Sequence, residues 1–141
     1  IVAPATANTL ARMAAGIADN LLGTTLLATE ASVLVAPAMH TQMWLHPATQ
    51  ANIATLRTRG IEFVGPNDGR LTGTDSGPGR MSEPDEIVTR AFEILARTSL
   101  TSGDLARLDR ELSAVVGLEI VVWAVRPGEG KVLPGEKIRY L

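Results

Sequence analysis

The sequence has no cysteine, few aromatic residues and no excess of positive charge. Without cysteine, the 141 residues can form no disulfide, no thiolate metal site and no cysteine nucleophile. Thirteen Lys and Arg against fifteen Asp and Glu give a formal net charge of −2. That charge excludes nucleic-acid binding driven by overall positive charge, which needs clustered Lys and Arg. Aromatic residues make up only 4% of the chain, so aliphatic side chains must form most of the core.

Long hydrophobic runs are also missing. Thr, Asp, Asn and Pro interrupt the longest apolar stretches, and none reaches the length of a membrane span. The sequence shows no basic segment followed by the apolar segment of a signal peptide. We therefore expect a cytoplasmic protein with no membrane partner and no nucleic-acid partner.

Short apolar runs alternate with segments of helical periodicity. Strands are predicted at 1–3, 32–36 and 61–64, and helices at 7–27, 47–59 and 83–97. We expect Gly16 and Gly23 to break the first helical segment into two pieces, with Ile17 and Leu21 on its inward face. The run at 32–36 lacks polar alternation, which is typical of a strand covered on both faces. The pattern predicts an α/β fold with a mostly parallel sheet.

The two ends of the chain differ in character from this middle. A buried strand at the first residues leads us to expect a domain that is truncated at its N-terminus. We assign residues 1–98 to this domain, 99–103 to a linker and 104–141 to the diverged or truncated start of a second α/β domain. Within the last segment, the pattern predicts a helix at 104–116, a strand at 118–125 and a loop at 126–140.

Three polar loops follow the predicted strands, at 4–9, 37–44 and 65–80. The loops after parallel strands gather at one edge of a sheet, where ligands bind. Each loop also has a purely structural interpretation: a helix N-cap in the first, Met and Trp packing in the second, and a glycine-rich connection in the third. His40 and His46 are poorly spaced for one helical face, so we predict no metal site.

Four motifs in and around these loops form, in their order along the chain, a pattern specific enough to indicate a family. They are Pro4-Ala-Thr-Ala-Asn-Thr9, Gly16-Ile-Ala-Asp-Asn-Leu-Leu22, Pro37-Ala-Met-His-Thr-Gln-Met-Trp44 and the stretch from Leu71 to Pro84 that contains Gly-Thr-Asp-Ser-Gly-Pro-Gly-Arg. Together they resemble the homo-oligomeric flavin-containing cysteine decarboxylases over residues 1 to about 97. The resemblance is strongest to the decarboxylase half of the bifunctional phosphopantothenoylcysteine decarboxylase/phosphopantothenate–cysteine ligases.

This resemblance implies a fold, a cofactor and a reaction. The fold is a Rossmann-like, flavodoxin-type α/β domain of three layers that binds FMN without a covalent bond and assembles as a trimer or a dodecamer. The reaction is the decarboxylation of 4'-phosphopantothenoylcysteine to 4'-phosphopantetheine in coenzyme A biosynthesis. Losing carbon dioxide requires an electron sink, which a flavin supplies and the side chains do not.

The motif matches also imply roles for individual residues. The cofactor-binding residues are Thr6, Ala7, Asn8, Thr9 and Met39. The substrate-binding residues are His40, Met43 and Asn8. A flap over the site includes Thr72, Gly73, Thr74 and Asp75.

Three departures from the family pattern leave the catalytic residues unassigned. The family's catalytic histidine and its phosphate-binding turn would lie upstream of Ile1. The family's substrate-binding asparagine is His40, and the cysteine that donates a proton is Gly73. Two alternatives therefore stay open: a catalytically silent binding or regulatory subunit with the flavoprotein fold, and a decarboxylase of another C-terminal cysteine.

Overall fold

A three-stranded parallel sheet forms the centre of the fold. The computed structural model describes residues 1–71 and 75–97 in full and, beyond them, only the backbone of four short strands. The sheet contains β1 (Val2–Ala5), β2 (Leu34–Pro37) and β3 (Glu62–Phe63) in that order. Val35 of β2 pairs with Val2 on one side and Phe63 on the other. The predicted parallel sheet is confirmed.

Five helices surround this sheet in the fully described residues. They are α1 (Ala7–Ala15), α2 (Leu21–Ala28), α3 (Thr41–Leu45), α4 (Pro47–Thr58) and α5 (Pro84–Arg97). Proline opens both α4 and α5, where its fixed φ suits the first turn and its missing N–H costs no hydrogen bond. None of the helices in the described residues is long and apolar enough to cross a membrane.

The first helical segment forms two helices, as predicted, but only one of the two glycines lies at the break between them. Gly16 ends α1 in the left-handed conformation (φ 69°). Asn20 then caps α2, its side-chain oxygen accepting the N–H of Gly23 at 2.8 Å, so Gly23 lies inside α2. The break changes the direction of the following side chains, and Ile17 and Leu21 are 47% and 56% exposed. The prediction that these two side chains face inward is wrong.

Alternate residues of the apolar run 33–36, which includes most of β2, pack with helices on opposite faces of the sheet. Val33 and Val35 pack in a cluster with Leu10 of α1 and Ile53 of α4. The intervening residues Leu34 and Ala36 pack with the buried face of α5, which consists of Ile87, Ala91 and Ile94. Because successive side chains of a strand point to opposite faces, an unbroken apolar run serves both clusters. The predicted three-layer arrangement is confirmed.

Two of the predicted loops contain regular structure. The 65–80 segment, expected to be a long loop, forms a hairpin of β4 (Asn67–Arg70) and β5 (Ser76–Arg80). The 37–44 segment contains α3. Composition alone did not predict the hairpin, because its strands are rich in residues that disfavour strands and it is held by docking against the neighbouring loop. Residues 72–74 lie outside the described residues.

The C-terminal segment agrees with its prediction in part where the backbone is described. Both β6 (Ile120–Val121) and β7 (Ala124–Val125) lie within the strand expected at 118–125. The expected loop at 126–140 contains β8 (Val132–Leu133) and β9 (Lys137–Ile138), which pair antiparallel with β7 and β6. The predicted linker at 99–103 and helix at 104–116 lie outside the described residues.

Candidate functional site

The loops after β1 and β2 begin side by side at the carboxyl edge of the sheet. The backbone N–H of Ala38 donates to the carbonyl oxygen of Ala5 at 3.0 Å, directly after the two strands end. The hydrogen bond continues the parallel pairing by one residue and fixes the start of both loops. The polar residues that follow each strand therefore share one edge, which is where ligands bind to open α/β sheets.

The first loop provides short hydroxyl and amide side chains at the start of α1. The Thr6 hydroxyl accepts the N–H of Thr9 at 3.2 Å and lies 3.0 Å from the Thr9 hydroxyl. Thr6 is thus a helix N-cap, as the structural interpretation proposed. Thr6 and Asn8 are exposed and Ala7 and Thr9 are half-buried. Three neutral hydrogen-bonding side chains stand where a polar ring edge or an anion could meet the start of the helix.

The second loop places one apolar and one titratable side chain beside each other. Met39 is half-buried and packs against the larger core cluster, as does Trp44. His40 is exposed, and its Nδ1 lies 3.6 Å from Oδ2 of Asp75, just before β5. Met43, on α3, is 44% exposed. The packing interpretation therefore holds for Trp44, while His40 and Met43 are accessible to a ligand.

The hairpin docks tightly on this second loop through two glycines. The N–H of Met39 donates to the carbonyl oxygen of Gly79 at 3.0 Å. A Cβ at Gly79 would lie 2.2 Å from the Met39 carbonyl oxygen, and one at Gly77 would lie 2.6 Å from Oγ1 of Thr41. That Thr41 hydroxyl is buried with no hydrogen-bond partner among the described residues. Only glycine fits at both positions, so the glycine-rich motif brings the two backbones together.

Four of the predicted site residues, Asn8, Thr9, Met39 and His40, line two separate cavities. The first, of about 310 Å³, lies between the second loop and the hairpin, and its lining residues are Ala38, Met39, His40, Arg70, Leu71, Gly79, Arg80 and Met81. The second, of about 110 Å³, lies between α1 and α2 and includes Asn8 and Thr9. Asn8 and His40, both predicted to bind substrate, do not share a cavity here. The described residues contain no cluster of His, Asp and Glu that could hold a metal ion.

One carboxylate connects the hairpin to α5. Glu86 accepts the backbone N–H of Glu83 at 2.8 Å and the side-chain amide of Asn67 at 2.7 Å. These hydrogen bonds, the one from Glu83 first, hold the pKa of Glu86 below its usual value because they stabilise the ionised carboxylate. The start of β4 and the start of α5 are therefore joined through one charged group.

Sequence reasoning did not identify the hairpin arginines as lining the same cavity as His40. Arg70 and Arg80 come from different strands, and their convergence depends on the hairpin. Composition did carry one signal, since Gly77-Pro-Gly79 alternates glycine around a residue that disfavours sheet interiors. Such a pattern indicates close approach of another backbone. Of the predicted flap, only Asp75 is described, and Thr72, Gly73 and Thr74 lie outside the described residues.

Comparison with known proteins shows the family. The model of the Flavoprotein family matches residues 1–95. The chain belongs to the Flavoprotein family. A coenzyme A biosynthesis bifunctional protein, CoaBC of Mycolicibacterium smegmatis, is 57% identical over 106 residues, which are 75% of this chain and 26% of that protein. The chain thus spans about a quarter of the length of this curated relative.

Two solved structures show the same fold. One is a PPC decarboxylase mutant complexed with pantothenoylaminoethenethiol, 39% identical with a TM-score of 0.60, covering 64% of this chain and 52% of that one. The other is the FMN-binding protein AtHal3, 40% identical with a TM-score of 0.56, covering 64% of this chain and 51% of that one. The predicted Rossmann-like, flavodoxin-type fold is confirmed.

Membership in this family indicates a flavin cofactor, and the residues present fit one. A flavin ring offers carbonyl oxygens and ring nitrogens along one edge and an apolar face. The side chains at the sheet edge match both features: Thr6, Asn8 and Thr9 carry hydroxyl and amide groups, and Met39 presents a thioether. The assignments of Thr6, Ala7, Asn8, Thr9 and Met39 to the cofactor, and of His40 and Met43 to the substrate, stay predictions.

Proposed function

We propose that this chain is part of an FMN-dependent phosphopantothenoylcysteine decarboxylase, a carbon–carbon lyase of coenzyme A biosynthesis. The observation that carries the proposal is the docking of the hairpin on the Met39–His40 backbone, which encloses a cavity at the carboxyl edge of the sheet. The similarity to CoaBC and to a PPC decarboxylase supports the choice of substrate. In the whole protein, we expect a phosphopantothenate–cysteine ligase alongside the decarboxylase and a homo-trimeric or dodecameric assembly.

The residues at the first loop would hold the FMN. The side chains of Thr6, Asn8 and Thr9 are short, and the hydroxyls of Thr6 and Thr9 lie 3.0 Å apart at the start of α1, so they would orient a polar ring edge at little cost in side-chain entropy. Met39 would contact the ring from the second loop. When bound, FMN supplies the two-electron chemistry that makes loss of carbon dioxide possible, and these side chains do not.

His40 and Met43 would hold the substrate. In its protonated form, an imidazole donates a charge-assisted hydrogen bond to a carboxylate, which is the interaction required in place of the family's asparagine. The Asp75 carboxylate lies 3.6 Å from His40 Nδ1. Glycine at position 73 cannot donate a proton, so either Thr72, Thr74 or a water molecule donates the last proton, or that last step is impaired.

The visible absorption spectrum of the purified full-length protein tests the cofactor. We expect flavin bands near roughly 370 and 450 nm, with fluorescence released on denaturation, because the flavin is held without a covalent bond. Incubation with phosphopantothenoylcysteine should then release carbon dioxide and 4'-phosphopantetheine in equal amounts, measured by mass spectrometry. A colourless protein that takes up no added FMN would contradict the proposal and favour a catalytically silent subunit.

If the protein contains flavin but leaves this substrate unchanged, two possibilities remain: a different substrate or a binding role. Peptides that end in cysteine should be tried next, since their decarboxylation would indicate another C-terminal cysteine as substrate. Turnover of neither compound would favour a binding role, for which glycine at position 73 is the motivating departure.

A further inference from the structure

The cavity between the second loop and the hairpin is unusually rich in cationic side chains. Arg70 from β4 and Arg80 from β5 line it together with His40. Two acids lie at its margin: Asp75 near His40, and Glu83, which pairs with the Arg80 guanidinium. Both acids are more than half exposed, at 60% and 54% of their side chains. Pairs this exposed are weak in water and can be displaced by a ligand.

The Arg80 side chain lies across the other strand of the hairpin. In the strand register, Arg80 stands opposite Asn67 at one end of the hairpin, whereas Arg70 stands opposite Ser76 near the other. The Arg80 side chain crosses Gly69, where a built Cβ would lie 3.3 Å from its Cδ and 3.7 Å from its Nη1. Both arginines line the same cavity, one from each strand.

Guanidinium groups brought to one cavity are suited to bind an anion. Each carries five N–H donors in a planar fork that matches carboxylate and phosphate oxygens. The apolar side chains of Met39, Leu71 and Met81 complete the lining and would contact the uncharged part of a ligand.

We propose that Arg70 and Arg80 form an anion-binding site that determines which anionic substrates this protein accepts. The proposal rests on the proposed function, in which the substrate carries two anionic groups, a carboxylate and a phosphate monoester. Both groups have the oxygen geometry that a guanidinium fork recognises.

Binding measurements on the full-length protein distinguish the two anionic groups. The probes are phosphopantothenoylcysteine, pantothenoylcysteine without the phosphate, and 4'-phosphopantetheine without the carboxylate, each titrated calorimetrically. We expect the double variant Arg70→Gln/Arg80→Gln to bind phosphopantothenoylcysteine with an affinity lowered tenfold or more, in line with the loss of hydrogen bonds to a charged group. The probe that binds equally well to both proteins lacks the group that the arginines recognise.

Matched variants show whether a lower affinity comes from a general loss of positive charge or from misfolding. Arg97→Gln removes the same charge at the far edge of the sheet, where Arg97 pairs with Glu62 at the start of β3, and should leave all three affinities unchanged. Arg80→Lys keeps the charge without the fork and should give an intermediate affinity. Unchanged melting temperatures would show that the variants fold.

Inorganic phosphate separates this proposal from the proposed function. If the wild-type protein binds none of the three probes, the proposed substrate is wrong, and titration with phosphate and acetate then tests the site alone. Saturable binding of either ion that the double variant loses would support an anion site for another substrate. Equal binding of every probe and ion by the wild type and the double variant would overturn the proposal.

Discussion

At the residue scale, the most informative difference from the family pattern is His40, which stands where that pattern has asparagine. His40 reaches the same cavity as the hairpin arginines, and Asp75 lies 3.6 Å from its Nδ1. Under the proposed function, His40→Ala should lower kcat/KM for phosphopantothenoylcysteine by about 10- to 100-fold, as expected for a lost hydrogen bond to a charged group. His40→Asn, which restores the family's residue, should stay within about tenfold of wild type. An unchanged kcat/KM in His40→Ala would show that position 40 does not bind the substrate.

Gly79 gives a second test at this scale because its missing side chain admits the Met39 backbone. With φ at +143° and a built Cβ 2.2 Å from the Met39 oxygen, Gly79→Ala combines backbone strain with a backbone clash. We expect a loss of about 3 kcal/mol or more in unfolding free energy and detachment of the hairpin. Gly60→Ala is the matched control, since Gly60 also has positive φ (+83°) but open space around it. It should cost about 1–2 kcal/mol, and an equal cost in both variants would refute the clash.

At the element scale, the hairpin is joined to the rest of the fold through both of its strands, by Gly79 of β5 on the second loop and by Asn67 of β4, which donates to Glu86 of α5. Glu86 reaches back to the N–H of Glu83 just before α5 begins, which is half of a capping box. The same carboxylate accepts the Asn67 amide at the start of β4. The hairpin and the helix start are therefore expected to loosen together.

Acid should weaken this junction. The pKa of Glu86 in the folded protein lies below its ordinary value of 4.5, so its stabilising effect is complete above 4.5 and is lost as pH falls through the lowered value. Glu86→Gln should therefore lower the melting temperature at pH 7, and the difference from wild type should shrink below pH 4.5. Asp85→Asn removes the same charge from the first turn of α5 and serves as the control. A difference that persists unchanged at pH 3 would contradict this linkage.

At the scale of the whole molecule, stability rests on two apolar clusters that share β2. Ile53 is 2% exposed in one cluster and Ile94 is 7% exposed in the other. Replacing either by Ala should cost about 2–5 kcal/mol, because each leaves a cavity that the sheet cannot fill. Leu27→Ala, at a side chain that is 65% exposed, should change stability little. Hydrogen exchange of the β2 amides in the full-length protein would measure the loss of stability in all three variants. Unequal protection of β2 after Ile53→Ala and Ile94→Ala would show that the two layers open separately.

The sequence by itself determined the layered fold and the family of this protein. An apolar run such as 33–36 must be covered on both sides, and the segments of helical periodicity that flank it supply the cover. The motifs around Asn8, Met39 and Pro78 were specific enough to indicate a flavin protein because each pattern combines several residues in a fixed order. These features are local, so no knowledge of distant contacts was needed.

Only the tertiary structure decided which polar side chains share a cavity. Asn8 and His40 both follow strands of one sheet, yet they line different cavities. Arg70 and Arg80 line one cavity because the hairpin pairs two glycine-rich segments that composition described as a loop. This arrangement depends on backbone approaches between segments far apart in the chain. The sequence Gly77-Pro-Gly79 indicates that another backbone approaches, but only the fold decides which one, through the docking of Gly77 and Gly79 against the second loop.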